Sequence, residues 1–130
     1  MAYEITFLKA LSLTIFIETT VLFLLFKALY KTTKVSNWIL LLTGILATFA
    51  TLPYLWFILP FFIKTKLWYI ITSEVSAILI ESLIIMGLLR TNYPKALLVS
   101  AICNTTSFLI GLLINWWKVR MNMKTLKSYI

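Results

Sequence analysis

Residues 68–90 read WYIITSEVSAILIESLIIMGLLR, opening on the aromatic pair Trp68 and Tyr69 and closing on Arg90. As a helix rising about 1.5 Å per residue, a run of this length matches the roughly 30 Å hydrocarbon thickness of a bilayer. Two acids interrupt it, Glu74 and Glu81. They lie seven residues apart, almost two turns, and so share one face with Ala77 between them.

Three further segments have the same character: Ile5–Tyr30, Trp38–Ile63 and Pro94–Trp117. The connections are Lys31–Asn37, Lys64–Leu67 and Thr91–Tyr93, too short for anything but antiparallel neighbours. The expected fold is an all-α membrane protein, a four-transmembrane-helix bundle. A single integral membrane domain covers residues 1–130, with a basic tail at 118–130 resting on anionic headgroups. Ser36 and Thr65 are expected N-caps, and Pro94 suits a first helical turn. Nine aromatic residues collect near the span ends, among them Tyr3, Tyr30, Trp38, Trp56, Trp68 and Trp117, as an interfacial belt requires.

Composition agrees. The chain is 62% hydrophobic and 12% charged, with a mean hydropathy of +0.98. Soluble domains are about a quarter charged, and a short chain buries too little surface to hide this much apolar matter from water. The net charge of +8 arises from twelve bases and four Glu residues, the bases lying mostly in loops and tail. That placement favours lipid headgroups over nucleic acid as a partner. No His is present and the one cysteine is Cys103. Haem on a His ligand, His-bound zinc and Cys–His catalysis are thereby excluded. No cofactor and no metal are expected. The first apolar run, Leu11–Leu29, exceeds a signal-peptide core and no A-x-A site follows it, so a cleaved leader is not expected. The N-terminal segment, second loop and tail hold seven bases against five on the other side. The positive-inside rule then puts both termini in the cytoplasm, in a multi-pass protein of the cell membrane.

The halves of the chain look alike. Ile17-Glu18-Thr19 matches Ile80-Glu81-Ser82, and Leu40-Leu41-Leu42-Thr43-Gly44-Ile45 matches Leu97-Leu98-Val99-Ser100-Ala101-Ile102. This register sets Ala47 against Asn104 and Thr48 against Thr105. Two helices per unit make the expected arrangement two tandem parallel helix-hairpin repeats.

Acids are where drift would least place them. Glu18, Glu74 and Glu81 fall inside spans, only Glu4 lies near an end, and there is no Asp. An acid at a helix centre costs about 2.5–3.5 kcal/mol on insertion scales, so intramembrane acids read as functional by default. Glu18 is thirteen residues from Ile5 and Glu81 thirteen from Trp68, which puts both about 20 Å deep, at one level. Glu74 is about 10 Å nearer the termini. The even helices offer matching polar stripes: Gly44, Ala47, Thr48 and Thr51 on one, Ser100, Asn104, Ser107 and Gly111 on the other. Lys27 and Arg90 are two to three turns away and snorkel outward. With no base at their depth, Glu18 and Glu81 are expected to hold their protons and to hydrogen-bond Asn104 or a Thr hydroxyl. The expected ion, proton or substrate site is therefore Glu18, Glu81, Asn104, Glu74, Thr48 and Ser107. Pro53, inside the second span, frees the Phe49 carbonyl. It is expected to kink the helix as a hinge, or to be re-satisfied by Thr48 or Thr51. Asn104-Thr105-Thr106 spells a glycosylation sequon but lies mid-span, and Cys103 beside it reads as a packing residue.

The layout resembles the small multidrug resistance transporters, which are short four-helix chains with a membrane-embedded Glu in the first helix; Glu18 occupies that position. The chain departs from that pattern in having only three glycines and two further intramembrane acids. Three functions follow as expectations. The first is a proton- or cation-linked transporter or channel, as a homo-oligomer. The second is a non-catalytic accessory subunit or assembly factor for a membrane-protein partner. The third is an intramembrane enzyme acting on a lipid through its carboxylates.

Overall fold

A computed structural model describes residues 1–31 and 34–128. Thr32 and Thr33 of the first connection, and Tyr129 and Ile130 at the end of the tail, lie outside the described residues. The fold is all-helical. Helix α1 spans Ala2–Phe23 and continues as one π-helical stretch over Leu24–Leu29. Helix α2 spans Asn37–Phe57, α3 is a single turn at Leu59–Phe62, α4 spans Lys66–Leu89 and α5 spans Tyr93–Ser128. Four stretches, Ala2–Leu29, Asn37–Phe62, Lys66–Leu89 and Tyr93–Lys127, are long and apolar enough to cross a membrane.

Local chemistry explains most boundaries. Ser36 caps α2, its Oγ accepting from the Ile39 amide at 3.3 Å. Thr65 holds the N-cap position of α4 in extended backbone but makes no side-chain cap bond. Asn92 caps α5, its Oδ1 accepting from the Lys95 amide at 3.2 Å, with Pro94 in the first turn as expected. Arg90 ends α4 in the left-handed region at φ 49°.

The second span is interrupted near its end, at Ile58. α2 runs through Pro53 and ends at Ile58, where Pro60 opens the turn α3. Proline is tolerated in a first turn, where its missing N–H has no helical partner to lose. The Thr48 and Thr51 hydroxyls do not take up the Phe49 carbonyl: they point to Glu18 and Glu81 and to the Gly44, Ala47 and Thr48 carbonyls.

The helices pack as a square in the order α1, α2, α4, α5, with α5 closing back on α1. Every neighbour along the perimeter is antiparallel, and the parallel pairs α1/α4 and α2/α5 face each other diagonally. The two ends of the bundle differ. Towards the first and third connections lies a continuous apolar core that includes Leu22, Phe26, Leu40, Ile85, Leu89 and Val99. Here the π turn matters: its wider winding lets the adjacent Leu25 and Phe26 both face inward. Lys27 donates to the Val35 carbonyl of the first connection. Towards the termini the bundle is joined by rings instead. Tyr3 packs tilted on Trp56 and edge-on against Phe57, Phe7 packs edge-on against both, the Tyr3 hydroxyl donates to the Trp56 carbonyl, and Tyr69 donates to that of Leu55. The basic tail is helical as far as it is described. Helix α5 carries on into it without a break, 36 residues in all, and leaves residues 118–127 exposed.

Candidate functional site

Glu18 on α1 and Glu81 on α4 come from diagonally opposite helices, and both are buried, at 4% and 3% exposure. Helices α2 and α5 supply the groups that hold them. Thr48 donates to Glu18 Oε2 and Ser107 to Glu18 Oε1, each at 2.8 Å. Thr51 donates to Glu81 Oε1 and the Asn104 amide to Glu81 Oε2, each at 2.7 Å. Every carboxyl oxygen therefore has one donor, and each carboxyl draws one from α2 and one from α5.

The three hydroxyls have a second acceptor within reach. Thr48 lies 3.0 Å from the Gly44 carbonyl, Ser107 lies 3.0 Å from that of Asn104, and Thr51 lies 3.2 Å from that of Ala47. A hydroxyl has one proton to give and lone pairs to receive. Against an ionised carboxylate it donates across the bundle. Against a protonated one it accepts the acid proton and turns its own proton to the backbone. The site thus satisfies both charge states with the same heavy-atom positions. Asn104 constrains the choice: its Nδ2 can only donate, so an acid proton on Glu81 belongs on Oε1, facing Thr51.

Five of the expected site residues, Glu18, Glu81, Asn104, Thr48 and Ser107, meet in this network. Glu74 is not bonded into it but lines the same cavity, as does Thr14. Pro53 stands apart; the cavity wall takes Leu52 and Leu55 instead. Thr51 is the group the sequence reading undervalues, placing it only in the packing stripe. Its position one turn after Thr48 is the signal that could have found it. The resulting cavity measures about 250 Å³. It runs from the two carboxyls towards the termini, past Glu74 and Phe108, to Trp56, Leu112 and Asn115, the last two exposed. On the other side of the carboxyls the apolar core follows directly. A residual void of about 10 Å³ bounded by Leu22, Ile85 and Cys103 is all that separates them.

The groups that hold the two carboxyls stand at simple offsets in the sequence. A shift of 63 carries Glu18 onto Glu81, and a shift of 56 carries Thr48 onto Asn104 and Thr51 onto Ser107. The same shift of 56 carries buried Leu40, Thr43, Gly44 and Ala47 onto buried Ala96, Val99, Ser100 and Cys103. The letter match, with Ala47 against Asn104 and Thr48 against Thr105, sets an exposed Thr105 against a fully buried Thr48. Runs of Leu and Thr align by letter in several frames, but only one frame keeps the buried face in phase.

Among the described residues, no three Cys, Asp or Glu side chains converge as a metal centre would require. Two carboxylates with hydroxyl and amide oxygens suit a proton or a hard cation rather than a soft metal. Comparison with known protein families, with curated proteins and with solved structures finds no match to this chain.

Proposed function

We propose that this chain is a small multi-pass membrane protein that carries protons, or a hard cation in exchange for them, with Glu18 and Glu81 as the binding groups. The observation behind the reading is the paired carboxyls, held in a network that accepts either charge state, at the closed end of a one-ended polar cavity. A group that must load and unload needs both states to be tolerable, and it needs access from one side at a time. The cavity supplies access from the end bearing the termini, and about eight waters would fill it at about 30 Å³ each. The apolar core on the far side is the barrier that has to part for release.

The surface supports a hydrocarbon surrounding. Phe16, Trp38, Phe61 and Leu113 are among many large apolar side chains left well exposed, at 71%, 79%, 75% and 64%, far more than a soluble monomer tolerates. The offset of 56 shared by six residue pairs of α2 and α5, with Glu18 and Glu81 on α1 and α4, supports two tandem hairpin repeats related by an axis along the bundle. The base count favours termini, and so a cavity mouth, on the cytoplasmic side. The accessory-subunit alternative needs polar groups turned towards a partner; here they turn inward and satisfy one another, which argues against it.

The test is proton flux in proteoliposomes under an imposed pH gradient, with and without Na⁺ or K⁺. Flux should fall to background in Glu18→Gln and in Glu81→Gln. Wild-type flux retained by both variants would sink the proposal.

A further inference from the structure

The far end of the bundle holds a second, larger opening that the polar network does not use. It is a crevice of about 780 Å³ between the first connection, the end of α4 and the start of α5. Three bases line it, Lys34, Arg90 and Lys95, and no acid does. All four acids of the chain are accounted for elsewhere: Glu4 pairs with the Met1 amine at the opposite end, Glu18 and Glu81 are bonded at mid-bundle, and Glu74 lines the other cavity. Lys95 is the base whose position is best defined, its ammonium 4.0 Å from the centre of the Tyr30 ring and 5.2 Å from that of Phe26. Such ring faces attract a cation but leave its charge uncancelled.

Below the bases the walls become apolar. Ile39 of α2 and Leu88 of α4 are partly open, at 42% and 37% exposure, and buried Leu89 lies behind them. Gly87 contributes space: a Cβ added there would meet nothing within 4 Å. The crevice therefore offers uncompensated positive charge at the level of the connections and an apolar slot leading down the helices. Those two features match the two parts of one molecule, a phosphate headgroup and an acyl chain. We propose that the crevice binds an anionic phospholipid, phosphate against Arg90, Lys95 and Lys34, with one chain along Ile39 and Leu88. The inference rests on the bilayer-spanning reading but not on proton carriage, so Glu18→Gln leaves it untouched.

The experiment is native mass spectrometry of the full chain in detergent, titrated with phosphatidylglycerol and with phosphatidylcholine of the same acyl chains. Removing a base near an anionic lipid weakens binding by about fivefold per charge. Arg90→Gln with Lys95→Gln should therefore lower phosphatidylglycerol retention by about thirtyfold. Gly87→Phe, which fills the slot and keeps every charge, should lower it as well. Replacing Lys118, Arg120, Lys124 and Lys127 with Gln should leave it within a few-fold, although that tail is the other basic surface. Retention unchanged in the Arg90/Lys95 variant, retention lost only in the tail variant, or equal retention of phosphatidylcholine would each overturn the assignment. Displacement by millimolar inorganic phosphate would assign the bases to a free anion and overturn the lipid.

Discussion

Substituting Gly44 by Ala should damage the bundle, whereas the same change at Gly87 should not. In a helix interior Ala is intrinsically better than Gly by about 0.8–1.0 kcal/mol, so both variants begin with that gain. At Gly87 nothing opposes it. At Gly44 the new Cβ would collide with the Thr19 hydroxyl and lie 3.0 Å from Thr19 Cβ and 3.1 Å from Thr19 Cα. The hydroxyl can swing aside without losing a bond, since it has no partner. The Cα cannot, so α1 must withdraw. Restoring an ordinary 3.4 Å contact to Thr19 Cβ requires 3.4 − 3.0, a retreat of about 0.4 Å. Overpacking of this kind costs about 1–3 kcal/mol, which is also the expected gap between Gly44→Ala and Gly87→Ala. The same retreat would stretch the 2.8 Å Thr48–Glu18 bond to about 3.2 Å, still a hydrogen bond. Gly44→Ala should therefore lose stability and keep flux, while Gly44→Leu should lose both. The assay is reversible unfolding in mixed micelles, with proteoliposome flux alongside. Equal stability of the Gly44→Ala and Gly87→Ala proteins would refute the close approach of α1 and α2 on which the Thr48–Glu18 bond depends.

Other substitutions address the network and the cavity. Thr51→Val keeps the shape of the side chain but removes the acceptor for the Glu81 acid proton. Flux should fall at least tenfold with the fold retained by circular dichroism, and full flux would contradict the role given to Thr51. Asn104→Leu strands Glu81 Oε2 without its amide donor; loss of a buried hydrogen bond to a charged group costs about 1.5–3 kcal/mol, measurable as destabilisation in micelles. A cysteine placed at Gly111, which lines the cavity and whose Cβ meets nothing within 4 Å, should react with a membrane-impermeant maleimide added on the side of the termini alone. Cys103, 3% exposed, should stay unlabelled from either side until the protein is unfolded.

Much of this was legible in the chain itself, because it depends on local chemistry. A segment of apolar residues about 20 long can satisfy its backbone in lipid only as a helix, so the four spans follow from composition. The shared level of Glu18 and Glu81 follows from counting residues at a fixed rise. The Ser36 cap follows from a hydroxyl placed just before an apolar run. The facial stripes containing Thr48, Asn104 and Ser107 follow from helical periodicity.

Periodicity fixes which side chains share a face, but not how far each helix is rotated or which neighbour that face meets. Only the packed bundle assigns Thr48 and Ser107 to Glu18 and Thr51 and Asn104 to Glu81. A Thr in a helix can always bond its own preceding carbonyl, so nothing in its identity says that Thr51 also reaches across to a carboxyl. The π turn that brings both Leu25 and Phe26 inward is likewise a matter of what that segment packs against. The one-ended cavity belongs to the tertiary structure entirely: it exists because the apolar core fills one half of the square of helices, and the small and polar side chains on α2 and α5 leave the other half open.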